Sequence, residues 1–166
     1  GDVRKEATII FAGTTLYDGR VVPLTVENPR YNYKAYSSAF TDGWETDTNI
    51  KYLRYAEVLL MKAEALNELG LTTEAIPLLN QIRTRAGLAN TTAVLQGDVR
   101  TAIWKERRVE MAMEHDRWFD LVRTGQAQSA MAANGKTFVV GTMEVFPIPQ
   151  EQITASGNVL TQNFGY

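Results

Sequence analysis

Two groups of residues in this chain have types and spacings from which chemistry could be built. The first is the charged run Glu106-Arg107-Arg108-Val109-Glu110, followed by Glu114, Asp116, Arg117, Asp120 and Arg123. Glu106, Glu110 and Glu114 lie four apart, so a helix would carry all of them on one face. A carboxylate row of this kind could hold a metal or supply the acid pair of a glycosidase. A di-iron helical site, however, needs Glu-x-x-His on two helices, and the single histidine, His115, directly follows Glu114. A glycosidase needs carboxylates across an open cleft, which no spacing here marks. The row reads better as an ion-pair ladder. Glu114 with Arg117, Arg117 with Asp120 and Asp120 with Arg123 are each three apart, and Arg54, Arg83 and Arg85 can reach in from earlier helices. Glu106 borders an apolar stripe, which predicts a partly buried, paired carboxylate. His115 sits at a joint between helices, where it is expected to cap or pack rather than to shuttle protons.

The second group is aromatic. Tyr31, Tyr33, Tyr36 and Trp44 crowd one irregular segment, with Asn28, Arg30, Asn32, Asp42, Asp47 and Asn49 beside them. Tyrosine and tryptophan offer a flat apolar face with a polar tip. Sugar rings present C–H faces that stack on such planes, and neighbouring amides and carboxylates can bond their hydroxyls. Tyr31, Tyr33, Tyr36, Trp44, Asp42 and Asn32 are therefore the candidate ligand contacts. The competing role for each ring is to pin a long loop onto the rest of the molecule.

These groups must be positioned by three zones of different texture. Residues 1–48 are irregular and rich in aromatics, with short β-like runs such as 7–12. Residues 49–125 are helical, and residues 126–166 return to loops around Pro147 and Pro149. In the middle zone, Leu53, Ala56, Leu60 and Ala63 form one apolar row, widened by Leu59 and Leu66. That predicts a helix over 49–69, closed by Gly70. Thr72 or Thr73 can cap the next helix, whose inward positions are Ala75, Leu78, Leu79 and Ile82, with Gly87 as its stop. Asp98 caps a third helix over 98–114, carrying Val99, Ala102, Ile103, Val109 and Met113 on or near one face. A short fourth, with Trp118, Phe119, Leu121 and Val122, ends at Gly125. Helix pairs with tight turns and alanines at their crossing are the unit of a tetratricopeptide repeat. The fold is expected to be mainly α, with TPR-like antiparallel helix pairs, long loops and little β. Helices three and four would make a second, degenerate pair. Such repeats need neighbours to cover their faces, so the chain reads as one domain of a larger protein.

Bulk properties narrow the function classes. The chain has 166 residues, 45% of them apolar and 22% charged, which suits one globular domain. A net charge of −2 offers no basic excess for phosphates, so nucleic acid is not an expected partner. With no cysteine and one histidine, neither a metal nor a cofactor is expected. There is no membrane-spanning apolar run and no signal peptide in view.

At this point the chain resembles the SusD/RagB family. The matching stretches run in order from Tyr52-Leu53-Arg54-Tyr55-Ala56-Glu57 through Asn67, then 74–87 and Ile103-Trp104-Lys105-Glu106-Arg107-Arg108-Val109-Glu110. They continue with Glu114-His115-Asp116-Arg117-Trp118-Phe119-Asp120 through Arg123, Phe146-Pro147-Ile148-Pro149-Gln150 and Thr161-Gln162-Asn163-Phe164-Gly165-Tyr166. Phe164 stands where many members have proline, and residues 1–48 match only loosely, at Asp2-Val3-Arg4. The resemblance implies a non-enzymatic lipoprotein on the outer face of the outer membrane. It would help a SusC-like TonB-dependent transporter capture oligosaccharides or other nutrients, and its lipid anchor would lie outside this sequence. It supplies no ligand contacts among these residues, and Glu106-Arg107-Arg108 reads as structural within it. The alternatives are a scaffold that docks the transporter without touching sugar and, least favoured, a hydrolase built on Glu106.

Overall fold

The computed structural model of the protein describes residues 1–38, 49 and 51–166. These fall into two compact units, Gly1–His115 and Asp116–Tyr166. The first unit opens with a short helix, α1 (Arg4–Thr8), and continues directly into strand β1 (Ile9–Phe11). Strand β2 (Arg30–Asn32) pairs with it antiparallel, Ile10 opposite Tyr31. Helices α2 (Tyr55–Glu68), α3 (Thr72–Arg85) and α4 (Gln96–Glu110) follow. The protein is mainly helical, with TPR-like packing of α2 on α3 and little strand.

The helices form because their apolar residues recur at helical spacing. Ala56, Leu59, Leu60 and Ala63 of α2 meet Ala75, Leu79 and Ile82 of α3, and Val99 and Ile103 of α4, in one buried cluster. Ala63 and Ala75 have no exposed surface, which lets the two helices approach closely. The α2–α3 turn is closed by Gly70 at φ 81°, with Gly70 N–H bonding the Asn67 carbonyl and Leu71 N–H the Leu66 carbonyl. That pattern satisfies carbonyls the helix would leave orphaned, and it requires a left-handed residue. Asn67, fully buried, ties this corner together. Its amide bonds the Gln96 carbonyl at 3.0 Å and accepts from the Thr72 hydroxyl at 3.0 Å.

Helix α4 runs antiparallel to α2. Residues at the end of α2 meet the start of α4 (Asn67 with Gln96, Glu68 with Arg100), and the start of α2 meets its end (Glu57 with Arg107, Arg54 with Glu110). The connection over residues 86–95 thus returns the chain to the other end of the bundle before α4 begins. It is held by Arg83, which donates to the Ala89 carbonyl, and by Asn80, which accepts from Thr91 N–H.

Helix boundaries differ from the sequence expectation in two places. The first helix starts at Tyr55 rather than Asn49. Leu53 is 62% exposed and Tyr52 89%, so among the described residues little packing stabilises an additional turn there. The third helix covers Gln96–Glu110 rather than 98–114, so Asp98 lies inside its first turn and is not the cap. It stops at Glu110 because Met113 and His115 take left-handed angles, φ 68° and 70°. Glu114 is therefore not on the helix that carries Glu106 and Glu110. Val109 and Met113, expected near the inward face, are 43% and 41% exposed.

The second unit contains α5 (Arg117–Arg123), α6 (Ala127–Ala132) and α7 (Gln150–Ala155). Its buried residues include Leu121, Ala127, Thr142 and Ile153, and Trp118 meets Phe138 edge to face at 5.9 Å. Phe119, one of the apolar positions read for the short fourth helix, is 71% exposed. The Phe146-to-Pro149 segment lacks the N–H groups of its prolines and cannot make a normal strand. Gln162 substitutes for one. Its amide accepts from Ile148 N–H at 2.7 Å and donates to the Ile148 carbonyl at 2.8 Å, while Asn163 donates to the Phe146 carbonyl.

Candidate functional site

The carboxylates of α4 face inward onto arginines. Glu106, 4% exposed, has Arg4 at 2.7 Å and Arg83 at 2.9 Å. Glu110, 3% exposed, meets Arg85 at 2.6 Å, Arg54 at 2.8 Å and Arg4 at 3.1 Å. Glu114, beyond the helix end, is reached by Arg54 at 2.7 Å and by Lys34. Each carboxylate thus spends its oxygens on guanidinium or ammonium groups drawn from α1, the lead-in segment, the start of α2 and the end of α3. A second pair, Arg107 with Glu57 at 2.8 Å, is buried between α4 and α2. Asp120 and Arg123 bond at 2.9 Å in the second unit, where Arg117 opens α5.

The electrostatics agree with the geometry. Burial pushes the Glu110 carboxyl up, but hydrogen bonds from Arg85, Arg54 and Arg4 outweigh it and hold it below the usual carboxylate range. Glu114 is shifted down in the same way, burial being overcome by Arg54 and Lys34. Arg54 is pushed up despite its desolvation, by Glu114 and Glu110. Asp2 falls to about 2, chiefly through its hydrogen bond with Arg4. Groups held this firmly in their charged forms are poor proton carriers near neutral pH.

The same cations finish α4. Lys34 Nζ donates to the Glu110 carbonyl at 2.7 Å, Arg54 to the same carbonyl at 3.0 Å, and Asn32 to the Met113 carbonyl at 2.9 Å. Side chains here do what Gly70 does for α2. Asn32, a candidate ligand contact by sequence, spends its amide on this joint, and its oxygen accepts from Lys34 N–H. His115 is exposed in the turn.

The aromatic group assembles around a residue outside the candidate set. Tyr17 lies nearly parallel to Tyr33, with ring centroids 6.3 Å apart, and Tyr36 meets both edge-on at 5.5 and 5.9 Å. Tyr17 N–H donates to the Tyr33 hydroxyl at 3.0 Å. The Tyr17 hydroxyl donates to Ser38 Oγ at 3.2 Å and accepts from Ser38 N–H at 3.0 Å. The Tyr36 hydroxyl donates to Asp18 at 2.8 Å, and the Arg20 guanidinium, itself bonded to Asp18 at 2.6 Å, lies 5.3 Å over the Tyr36 ring. Partial desolvation opposes ionisation of Asp18, but bonds from Tyr36 and Arg20 hold its carboxyl low. Tyr31 stands on β2, 38% exposed and apart from this ring cluster. Trp44 and Asp42 lie outside the described residues.

Sequence reasoning missed Arg4, Lys34 and Glu57 as ion partners, and Tyr17, Asp18 and Arg20 as partners of the tyrosines. The Asp18-Gly19 turn was the available signal. It folds a hairpin, with Thr15 bridging Val21, that brings Tyr17 back towards β2.

A helical hairpin flanked by an antiparallel helix, with an arginine-locked carboxylate row, defines a class of TPR-like helical scaffold. The SusD family model matches residues 25–166, and the chain belongs to the SusD family. SusD-like protein P2 of Formosa agariphila is 33% identical over 147 residues, covering 81% of this chain and 29% of that protein. A laminarin-binding SusD-like protein superposes with a TM-score of 0.74 at 34% identity, over 98% of this chain and 35% of its own. Surface glycan-binding protein A from Bacteroides uniformis gives 0.75 at 30% identity, over 98% and 38%. The chain therefore spans between 29% and 38% of the length of these relatives.

Proposed function

We propose that the protein is a nutrient-binding component of a cell-surface uptake system. It captures glycan at the outer membrane and passes it to a SusC-like TonB-dependent transporter. The observation that carries this reading is its likeness, over 98% of the chain, to solved relatives described as laminarin-binding and surface glycan-binding. The inward pairing of the acidic row supports binding rather than hydrolysis. Attachment to the membrane would come from a lipid anchor outside these residues. Ligand contact is assigned to the aromatic lead-in, where tyrosine faces reach solvent.

The test is a panel of defined oligosaccharides titrated calorimetrically into the full-length protein, together with copurification of a transporter barrel from the native membrane. Sugar binding without turnover, plus a copurifying barrel, is the expected result. A copurifying barrel with no sugar bound would favour the scaffold alternative. Turnover abolished by Glu106→Gln would replace the reading with a hydrolase.

A further inference from the structure

We propose that Tyr17 is the stacking platform for the sugar, with Arg20 as the flanking donor to its hydroxyls. This rests on the glycan-binding reading above and names the contact within it. The ligand class is an oligosaccharide of pyranose rings that present an apolar C–H face.

The first ground is exposure combined with fixation. A tyrosine that only pins a loop lays its ring on the core and buries it. Tyr17 does otherwise. It is 65% exposed, yet its hydroxyl is bonded by Ser38 through both Oγ and N–H, and its own N–H is bonded by Tyr33. Tyr33 lies parallel to its ring and Tyr36 stands edge-on to it. The ring is thus oriented before any ligand arrives, so little further ordering is needed on binding.

The second ground is the polar neighbour. Arg20 is gripped by Asp18 and lies over Tyr36, but its side chain remains 55% exposed. A planar guanidinium held at the rim of an aromatic face offers directional N–H donors to ring hydroxyls. The other tyrosines are less suited. Tyr33 and Tyr36 are half-buried beneath Tyr17 and Arg20 respectively, and Tyr31 stands apart from the ring contacts.

The experiment titrates laminarihexaose, cellohexaose, maltohexaose and mannohexaose into the full-length protein and its Tyr17→Ala, Tyr17→Phe and Tyr31→Ala variants. For the sugar that binds, Tyr17→Ala should weaken affinity at least about tenfold, as for an anchoring aromatic, and Tyr17→Phe should stay within about threefold. Tyr31→Ala should match the unsubstituted protein. Nuclear Overhauser contacts from sugar protons to the Tyr17 ring, recorded on the unsubstituted protein, give a readout independent of any loosening by the alanine. Unchanged affinity in Tyr17→Ala, or sugar contacts on other rings only, overturns the platform and leaves glycan binding standing. Failure of every sugar to bind the unsubstituted protein overturns both.

Discussion

The acidic row of α4 and the tyrosine cluster beside the Asp18-Gly19 turn are both dense in functional groups, and they are treated oppositely by the fold. Glu106 and Glu110 are almost wholly removed from solvent and surrounded by arginines. Tyr17 and Arg20 are tied down as firmly, by Ser38 and Asp18, yet remain more than half exposed. Fixation alone therefore does not separate scaffold from proposed site. What separates them is whether the fixed group still has a face to offer. A buried ion pair has its electrostatic capacity consumed internally, whereas an exposed ring held in place has its apolar face left over.

That contrast can be broken by experiment, and the largest effect should come from the buried side. Glu110→Ala leaves Arg4, Arg54 and Arg85 facing one another without their shared anion. Breaking a buried pair of this kind costs about 3–5 kcal/mol, read as a lower midpoint in urea unfolding. Next in size is acidity. Glu110 and Glu114 have carboxyls shifted down in the folded state, so their stabilisation is complete above the unfolded-state value of about 4.3 and is lost as pH falls through the lower folded value. Melting temperature should fall steeply below about pH 4, and Glu110→Gln should flatten that fall. A smaller effect is expected at the rim. Arg85 is 55% exposed, so Arg85→Ala should cost no more than about 1 kcal/mol in the same assay. Smallest for the fold is Tyr17→Ala, whose exposed ring contacts place it at the low end for aromatic pairs, about 0.5 kcal/mol, although it should have the largest effect on sugar affinity. A Tyr17→Ala variant as destabilised as Glu110→Ala would erase the distinction between the regions.

Helices were legible in the sequence because their signal is local. Ala56, Leu60 and Ala63 repeat with the helical period, and Gly70 and Gly87 mark the ends of α2 and α3. Their limits were less legible, because partners remote in sequence set them. Helix α4 ends where Lys34, Arg54 and Asn32 collect its carbonyls, and no pattern within residues 98–114 announces that. The acidic spacing pointed to paired carboxylates, but Arg4 and Lys34 looked like any surface cation until the chain folded. The aromatic crowding was visible, whereas the contribution of Tyr17 depended on a hairpin that carries it over to residues 33–38.

The charge lock on α4 also carries an order of events. Among the described residues, Arg4, Lys34, Arg54, Arg83 and Arg85 meet Glu106, Glu110 or Glu114, and all five precede these carboxylates in the chain. A polypeptide made from its amino end therefore carries these cations before the anions that neutralise them exist. The α2–α3 hairpin can close early through its short turn, but Arg4 must wait for a partner 106 residues later, Glu110. The contacts of Arg4 with α4 therefore form only after that helix has been made, whereas the bond from Val3 N–H to the Ala86 carbonyl needs only α3.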